Sequence, residues 1–359
     1  VLLLLHLLLT KTRFGTLVRA ATQDREMVGA LGVNQAWLFT AVFALGTLLA
    51  GLGGALQLPR EPASLEMDML TIGAAFVVVV VGGMGSIPGA FVAALLIAEL
   101  KAVCIWLGLQ EIGGVEISFS KLTLVVEFLV MAVVLIWRPW GLLGKPQSLS
   151  RNGGEHERPL QPAGRAATSG WVALLAALVL LPLVTGDASS YSTVLLTDIF
   201  IAALFAASLH FILGPGGMHS FGHAAYFGLG AYGAALVVRS LDLSLPAALL
   251  LGPLVAAAGA LLYGWFCVRL SGVYLTMLTL AFAQISWAIV FQWDDFTGGS
   301  NGITGVWPPE WASNGAAFYW LALAVCALGI WLLRRVLFSP LGYALRASRD
   351  SALRADAIG

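Results

Sequence analysis

Three sets of residues in this 359-residue chain have types and spacings that could do chemistry. His219 and His223 stand four apart, a spacing compatible with metal binding on one helix face. No carboxylate or cysteine accompanies them, whereas a zinc site takes three or four protein ligands. Ser300 lies in GGSNG (298–302), which fits the G-x-S-x-G of serine hydrolases. That motif needs a strand, a sharp turn and a helix around the nucleophile, and a histidine base within reach. Here it sits in WDDFTGGSNGITGVWPPEW (293–311), a loop rich in Trp and Pro on the face opposite to both histidines. The third set is Glu99, Lys101, Glu127 and Asp198, charged groups in or near apolar runs. An ionised group at mid-membrane depth costs about 2.5–3.5 kcal/mol, so such residues face a bundle interior and mark ion or solute routes. Asp198 and Glu127 are the pathway candidates; Glu99 and Lys101, two apart on a helix, cannot pair with each other.

The elements that hold these residues are membrane spans. Only 11% of the chain is charged and 59% is hydrophobic, against roughly 25% charged in a soluble domain. Apolar runs long enough to cross about 30 Å of hydrocarbon recur at 36–58, 69–83, 87–107, 121–137, 171–185, 193–213, 221–239, 245–268, 273–292 and 316–333, with a stub at 1–9. The expected fold is all-α, a polytopic transmembrane helical bundle of about ten spans, and the alternating pattern of a membrane barrel is missing. Trp37, Trp106, Trp137, Trp140, Trp171, Trp293, Trp320 and Trp331 lie near span ends, as an interfacial belt requires. Cys104, Cys267 and Cys326 fall in or beside spans and read as small buried hydrophobes. GLGAYG (228–233) fits G-x-G-x-x-G but lies in an apolar run without a preceding strand, so its glycines serve helix contact rather than a dinucleotide.

Basic residues fall in three clusters: Lys11, Arg13, Arg19 and Arg25; Arg138, Lys145, Arg151, Arg158 and Arg165; Arg334, Arg335, Arg346, Arg349 and Arg354. The positive-inside rule places all three in the cytoplasm, and the even number of runs between them agrees. The segments 59–68, 109–118 and 293–311 then lie outside. Between Trp140 and Trp171 the chain is rich in Gly, Pro, Ser and Arg, the composition of a flexible linker. It divides the chain into 1–144, a linker over 145–170, and 171–359. Both parts carry the same charged element. FGTLVRAATQDREMVGALG (14–32) overlays LGYALRASRDSALRADAIG (341–359) without gaps, matching Gly15 with Gly342, Arg19 with Arg346 and Gly32 with Gly359. The repeat implies two tandem homologous halves, related by an axis along the membrane normal. The first copy comes after only a stub and the second ends the chain, so the halves are expected to be truncated at opposite ends. Between its glycines each copy predicts one amphipathic helix of sixteen residues, about 24 Å long. In the first, Leu17, Ala20, Ala21, Met27, Val28 and Leu31 form the apolar side, and Arg19, Gln23, Asp24, Arg25 and Glu26 the polar one.

GPGGMHSFGHAAYFGLGAYG (214–233) sets glycines and a proline beside apolar helix. A break at membrane depth is tolerated where the freed backbone meets protein or a water-filled cavity. Ser220, Gly222, His223 and Tyr226 are therefore candidates to line a solute route, against the alternative of a tightly packed cytoplasmic turn. Gly298, Gly299, Ser300 and Asn301 are candidates for a turn at the solute entrance.

FGTLVRAATQDREMVGALGVN, the span ending GLGGAL, GGMGSIPGAF and IWRPWGLLGK together resemble the C-terminal part of the first permease subunit of bacterial branched-chain amino acid ABC importers. FILGPGGMHSFGHAAYFGLGAYGAAL, RLSGVYLTMLTLAFAQI, TGGSNGITGV and SPLGYALRASRDSALRADAIG resemble the N-terminal part of the second. The resemblance implies a multi-pass protein of the bacterial inner membrane, fused from two permease units and working as the membrane component of an importer for branched-chain or related amino acids. It implies two cytoplasmic ATPase subunits that bind ATP and Mg, a periplasmic solute-binding protein, and no cofactor or nucleic acid on this chain. No G-x-x-x-x-G-K-[ST] phosphate loop is present, so ATP hydrolysis falls to the partners. The resemblance makes 15–32 and 342–359 the coupling elements, with Gly15, Arg19, Asp24, Arg25, Gly32, Gly342, Arg346, Arg349, Asp350 and Gly359 at the ATPase contact. Met218 stands where the family usually has Gln, His219 where it has an aliphatic residue, and Asp198 is unexpected in its span; relatives also import urea and short amides, so the solute stays open. The alternatives are a proton-coupled carrier, which needs intramembrane carboxylates, and an intramembrane serine hydrolase using Ser300.

Overall fold

The computed structural model describes residues 2–65, 67–112, 115–144, 162, 164–185, 191–307, 309–312, 315–351 and 355–357. Most of them are helical. Among the described residues the helices run in the order α1 (Leu2–Lys11), α2 (Arg13–Gln23), α3 (Arg25–Ala30), α4 (Gln35–Gln57), α5 (Met67–Gly82), α6 (Ile87–Leu107), α7 (Phe119–Trp137), α8 (Arg165–Thr185), α9 (Tyr191–Leu213), α10 (His223–Leu241), α11 (Leu245–Cys267), α12 (Gly272–Gln292), α13 (Asp294–Thr297), α14 (Gly315–Leu337) and α15 (Pro340–Asp350). A two-stranded antiparallel hairpin, β1 (Leu109–Ile112) and β2 (Val115–Ser118), joins α6 to α7. Among the described residues nine helices are long and apolar enough to cross a membrane. The remaining predicted span, 69–83, is α5, whose 16 residues extend only about 24 Å, short of the hydrocarbon thickness. Residues 165–170, which the composition places in the linker, are helical. Helix α8 begins at Arg165 rather than at Trp171: Arg165, Ala166 and Ala167 are good helix formers, and the hydroxyls of Thr168 and Ser169 donate back to Gly164 O and Ala166 O along the helix.

Contacts divide the chain into Val1–Ala75 and Phe76–Gly359. In the first unit Ala21, Val28 and Leu38 form a small core with Phe14, Leu17, Val18, Val33 and Phe39, which holds α2 and α3 against the start of α4.

In the second unit the core gathers on α12. Tyr274, Leu275, Met277, Leu278 and Ala281 of α12 pack with Phe128, Met131, Ala132 and Leu135 of α7, with Val77, Val80 and Val81 at the end of α5, and with Ala93 and Ile97 of α6. Glycines set how closely these parts meet. A Cβ on Gly89 would lie 2.1 Å from the Gly82 carbonyl oxygen, and one on Gly83, at φ +99°, would lie 2.3 Å from the Gly144 amide nitrogen. Space without side chains lets the 140–144 segment pair with the end of α5, Leu142 N–H donating to Val81 O (2.8 Å) and Leu143 N–H to Gly82 O (3.1 Å). Two motifs far apart in sequence, GGMGSIPG and WRPWGLLG, thus make one turn. The seam between α7 and α12 joins the parts of the chain before and after the linker. It closes at one end where Gln292 donates to Lys121 O (2.6 Å) and Lys121 meets Asp294 (3.5 Å).

Helices α8, α9 and α14 pack around Phe200, Tyr319, Leu323 and Cys326. Pro182 has no N–H to give to Leu178 O one turn earlier. The Tyr319 hydroxyl donates to that carbonyl at 2.8 Å, and Trp320 Nε1–H donates to Val179 O at 3.2 Å. A backbone defect in α8 therefore fixes its pairing with α14.

Candidate functional site

The repeated element folds twice in the same register. Helices α2 and α15 each have 11 residues, and the overlay of Gly15 on Gly342 superposes both their starts and their ends. Each opens on a hydroxyl cap, Thr12 or Ser339, whose oxygen accepts from the amide of Gly15 (3.3 Å) or Gly342 (3.4 Å). Each glycine is buried where its helix turns off the preceding one. A Cβ on Gly15 would lie 2.1 Å from Leu9 O; on Gly342 it would lie 2.4 Å from Val336 O, the matching residue. Each helix then stops in extended backbone, at Asp24 and at Ser351. Helix resumes beyond both, as α3 and over 355–357.

The single sixteen-residue helix predicted for this element is thus a helix, a break and a second short helix. Asp24 causes the break in the first copy: its carboxylate accepts from Met27 N–H at 2.9 Å, so it starts a new helix instead of continuing the old one. The break shifts the helical phase of α3 relative to α2. Ala21 and Val28 are buried, but Ala20 is exposed, as are Met27 (59%) and Leu31 (75%), which were expected on the apolar side.

The charged residues of the two copies are used differently. Arg19 is exposed. Arg25 lies over the Phe39 ring at 4.4 Å and donates to Gln35 (3.2 Å). Gly32 comes after α3 at φ +82°, open to space on its Cβ side. Arg346 folds back on its own corner, donating to Gly342 O and Leu337 O, both at 3.2 Å, and covering the Tyr343 ring at 4.5 Å. Arg349 grips Asp350 (2.8 Å) and donates from Nη1 to Gly214 O (2.9 Å). Gly359 lies outside the described residues.

Between α9 and α10 the stretch 214–222 is not helical. Several of its amides are bonded to protein. Gly216 N–H donates to Phe211 O (3.2 Å), Met218 N–H to Ile212 O (3.1 Å), and Phe221 N–H to Thr279 Oγ1 (3.1 Å). Gly222 is buried on α12, where a Cβ would lie 2.1 Å from Thr279 O. Thr279 is two turns into α12, about 10 Å from its start, so the non-helical strand runs alongside a span. Met218 packs into the α12 core, while His219 points outward and Ser220 is half-buried.

This strand delivers His223 to the start of α10. His223 Nε2 and Ser208 Oγ of α9 are 2.8 Å apart, and its Nδ1 is buried without a hydrogen-bond partner. Its ring neighbours Phe205 (5.3 Å) and Tyr226 (6.1 Å), and Tyr226 in turn neighbours Tyr263 (6.3 Å), whose hydroxyl meets Ser286 at 2.7 Å. Ser208, His223, Tyr226, Tyr263 and Ser286 therefore form a polar and aromatic strip across α9 to α12. Of these, Ser208, Tyr263 and Ser286 carry no signal in a single sequence, because a serine or tyrosine in an apolar span differs little from its neighbours. Asp198 is exposed beside this strip, lining a groove of 340 Å³ between α9 and α10 with Ile201, Phe205 and Phe227.

Gly298, Gly299, Ser300 and Asn301 lie beyond the far end of α12, a helix of 21 residues or about 31 Å, and are not brought to the histidine. Gly298 and Gly299 take φ +78° and +54°, and Ser300 is exposed in a single 3-10 turn that comes after α13 rather than a strand. Gly302 faces α10 here, where a Cβ would lie 3.8 Å from Tyr232 Oη. Glu127 is engaged as well. Lys101 Nζ stands 2.6 Å from Glu127 Oε2 in an ion pair between α6 and α7.

Over residues 1–135 and 191–359 the chain matches the family described as the branched-chain amino acid transport system permease component. It is 31% identical over 144 residues to the high-affinity branched-chain amino acid transport system permease protein BraD of Pseudomonas aeruginosa, covering 40% of this chain and 44% of that protein. It is 27% identical over 191 residues to the permease protein LivM of Escherichia coli, covering 46% and 44%, and 28% identical over 148 residues to the permease protein LivH of the same organism, covering 41% and 44%. The chain spans less than half the length of each curated relative it matches here. No solved structure matches it.

Proposed function

Since this chain belongs to the family of branched-chain amino acid transport system permease components, we propose that it is the membrane-spanning part of an ATP-driven importer for branched-chain or related amino acids in a bacterial inner membrane. The single observation that carries this reading is the pair α2 and α15, two helices of identical length, cap and corner leaving the ends of apolar helices. A short helix braced on a span gives a soluble motor something rigid to push. Two cytoplasmic ATPases would dock on α2–α3 and α15, and a periplasmic binding protein would deliver solute to the side that carries Gly298–Asn301. The solute would pass near His223 and Tyr226, in a mechanism of alternating access in which movement of the two handles rocks the packed helices.

The test is uptake of radiolabelled leucine by vesicles containing the complete complex. Uptake that needs ATP, stops with vanadate and survives a protonophore supports the reading. Uptake that ignores vanadate and collapses with the protonophore supports a proton-coupled carrier and overturns it.

A further inference from the structure

Among the described charged residues of the two handles, Arg349 is the one that reaches out of its own element into the polar strip's foundation. Its guanidinium donates to Gly214 O at 2.9 Å. Its aliphatic stem lies on Gly217, where a Cβ would stand 2.3 Å from Arg349 Cγ and where φ is +63°. The side chain is 25% exposed, so the hydrogen bond is sheltered from water, and Asp350 holds the other edge of the guanidinium at 2.8 and 2.9 Å. The opposite end of α15 is fixed to α14 by Arg346, Ser339 and the tight corner at Gly342. Helix α15 is therefore anchored at one end and, about 10 Å along, tied to the 214–217 turn at the other.

That turn has little slack. The residues after it are bonded to α9 and seated on Thr279 of α12, and they end at His223. The first copy has no counterpart: Thr22 occupies the matching position and its hydroxyl bonds Arg19 O within its own helix (2.7 Å).

We propose that Arg349 is a positioning residue that transmits movement of α15 to the 214–222 strand, and through it to His223 and the start of α10. The effect on transport rests on the permease reading above; the mechanical link does not.

Two measurements separate the two claims. The first is hydrogen–deuterium exchange of the full chain in lipid nanodiscs, comparing wild type, Arg349→Ala, Arg349→Lys and Gly217→Ala. Arg349→Ala and Gly217→Ala are expected to raise exchange at 216–222 about tenfold while α9 and the middle of α12 stay protected, with Arg349→Lys recovering part of the protection because its one ammonium can donate to Gly214 O but cannot also hold Asp350 on a separate edge. Loosening confined to 340–350, with 216–222 unchanged in both variants, would overturn the link and reduce Arg349 to a local brace. The second is the number of ATP molecules hydrolysed per leucine taken up by the complete complex. Arg349→Ala is expected to raise that ratio several-fold, whereas a merely structural defect lowers hydrolysis and uptake together and leaves the ratio unchanged. If wild-type complex shows no ATP-driven leucine uptake, the permease reading fails while the exchange result still decides the link.

Discussion

Lys101 and Glu127 show what a single sequence hides at the level of one side chain. Reading along the chain excludes pairing of Lys101 with Glu99 and leaves Glu127 as a lone carboxylate on a solute route. Packing of α6 on α7 instead brings Glu127 within 2.6 Å of Lys101, a partner 26 residues away that periodicity cannot find. Removing one member leaves an uncompensated charge in an apolar bundle, at a cost of about 3 kcal/mol, while replacing both by apolar residues is close to neutral. Thermal denaturation in detergent is therefore expected to show Lys101→Met and Glu127→Leu each strongly destabilised and the double variant near wild type; additive losses would mean that the pair contributes independently to other contacts. The two matched arginines also differ. Arg346→Glu breaks two carbonyl hydrogen bonds and a ring contact, whereas Arg19→Glu alters only an exposed charge. Arg19→Glu should leave the melting temperature unchanged, within about 0.5 kcal/mol of stability, while weakening pull-down of the ATPase; a lowered melting temperature would show that Arg19 has an internal role.

Elements were legible in the sequence to within a few residues wherever apolar length decided them: α4, α6, α7 and α9 to α12 lie where the runs predicted. The misses have local causes. Helix α5 stops at Gly82 because the glycines after it make the turn that meets 140–144. The handle breaks because a capping aspartate outcompetes continuation of the helix, a signal present in the residues 24–27 but outweighed there by the amphipathic pattern. The cap hydroxyls carry a modest energy, about 1 kcal/mol each. Thr12→Ala and Ser339→Ala should each raise amide exchange in the first turn of the capped helix about fivefold, and no change in either would show that the caps do not hold the handles. Helix α8 makes a stricter test. Tyr319→Phe leaves the Leu178 carbonyl without its donor and should cost about 1–2 kcal/mol. Adding Pro182→Ala supplies the missing amide and should recover most of that loss; a double variant as unstable as the single one would contradict the pairing of the defect with the hydroxyl.

On the scale of the whole molecule, α12 is the element on which the core of the unit Phe76–Gly359 gathers. It buries one face on α7, from before the linker, and receives the 214–222 strand on another. Neither contact is written in α12 itself, whose 21 residues read as one more apolar run. The polar strip was half legible for the same reason: glycines announced the break that positions His223 and Tyr226, but Ser208, Tyr263 and Ser286 come from three other helices. The repeat was the most informative feature because its two copies check each other, and their helices agree in length, cap, corner and break.

A nucleotide-driven motor can work this chain only if both handles project from one side of the bilayer. With Cys104, Cys267 and Cys326 replaced, single cysteines at the exposed positions 19 and 348 can be challenged with a membrane-impermeant maleimide in sealed vesicles of defined orientation. Both are expected to react only when the cytoplasmic face is outward. Reaction of position 19 from one face and position 348 from the other would contradict the shared docking side.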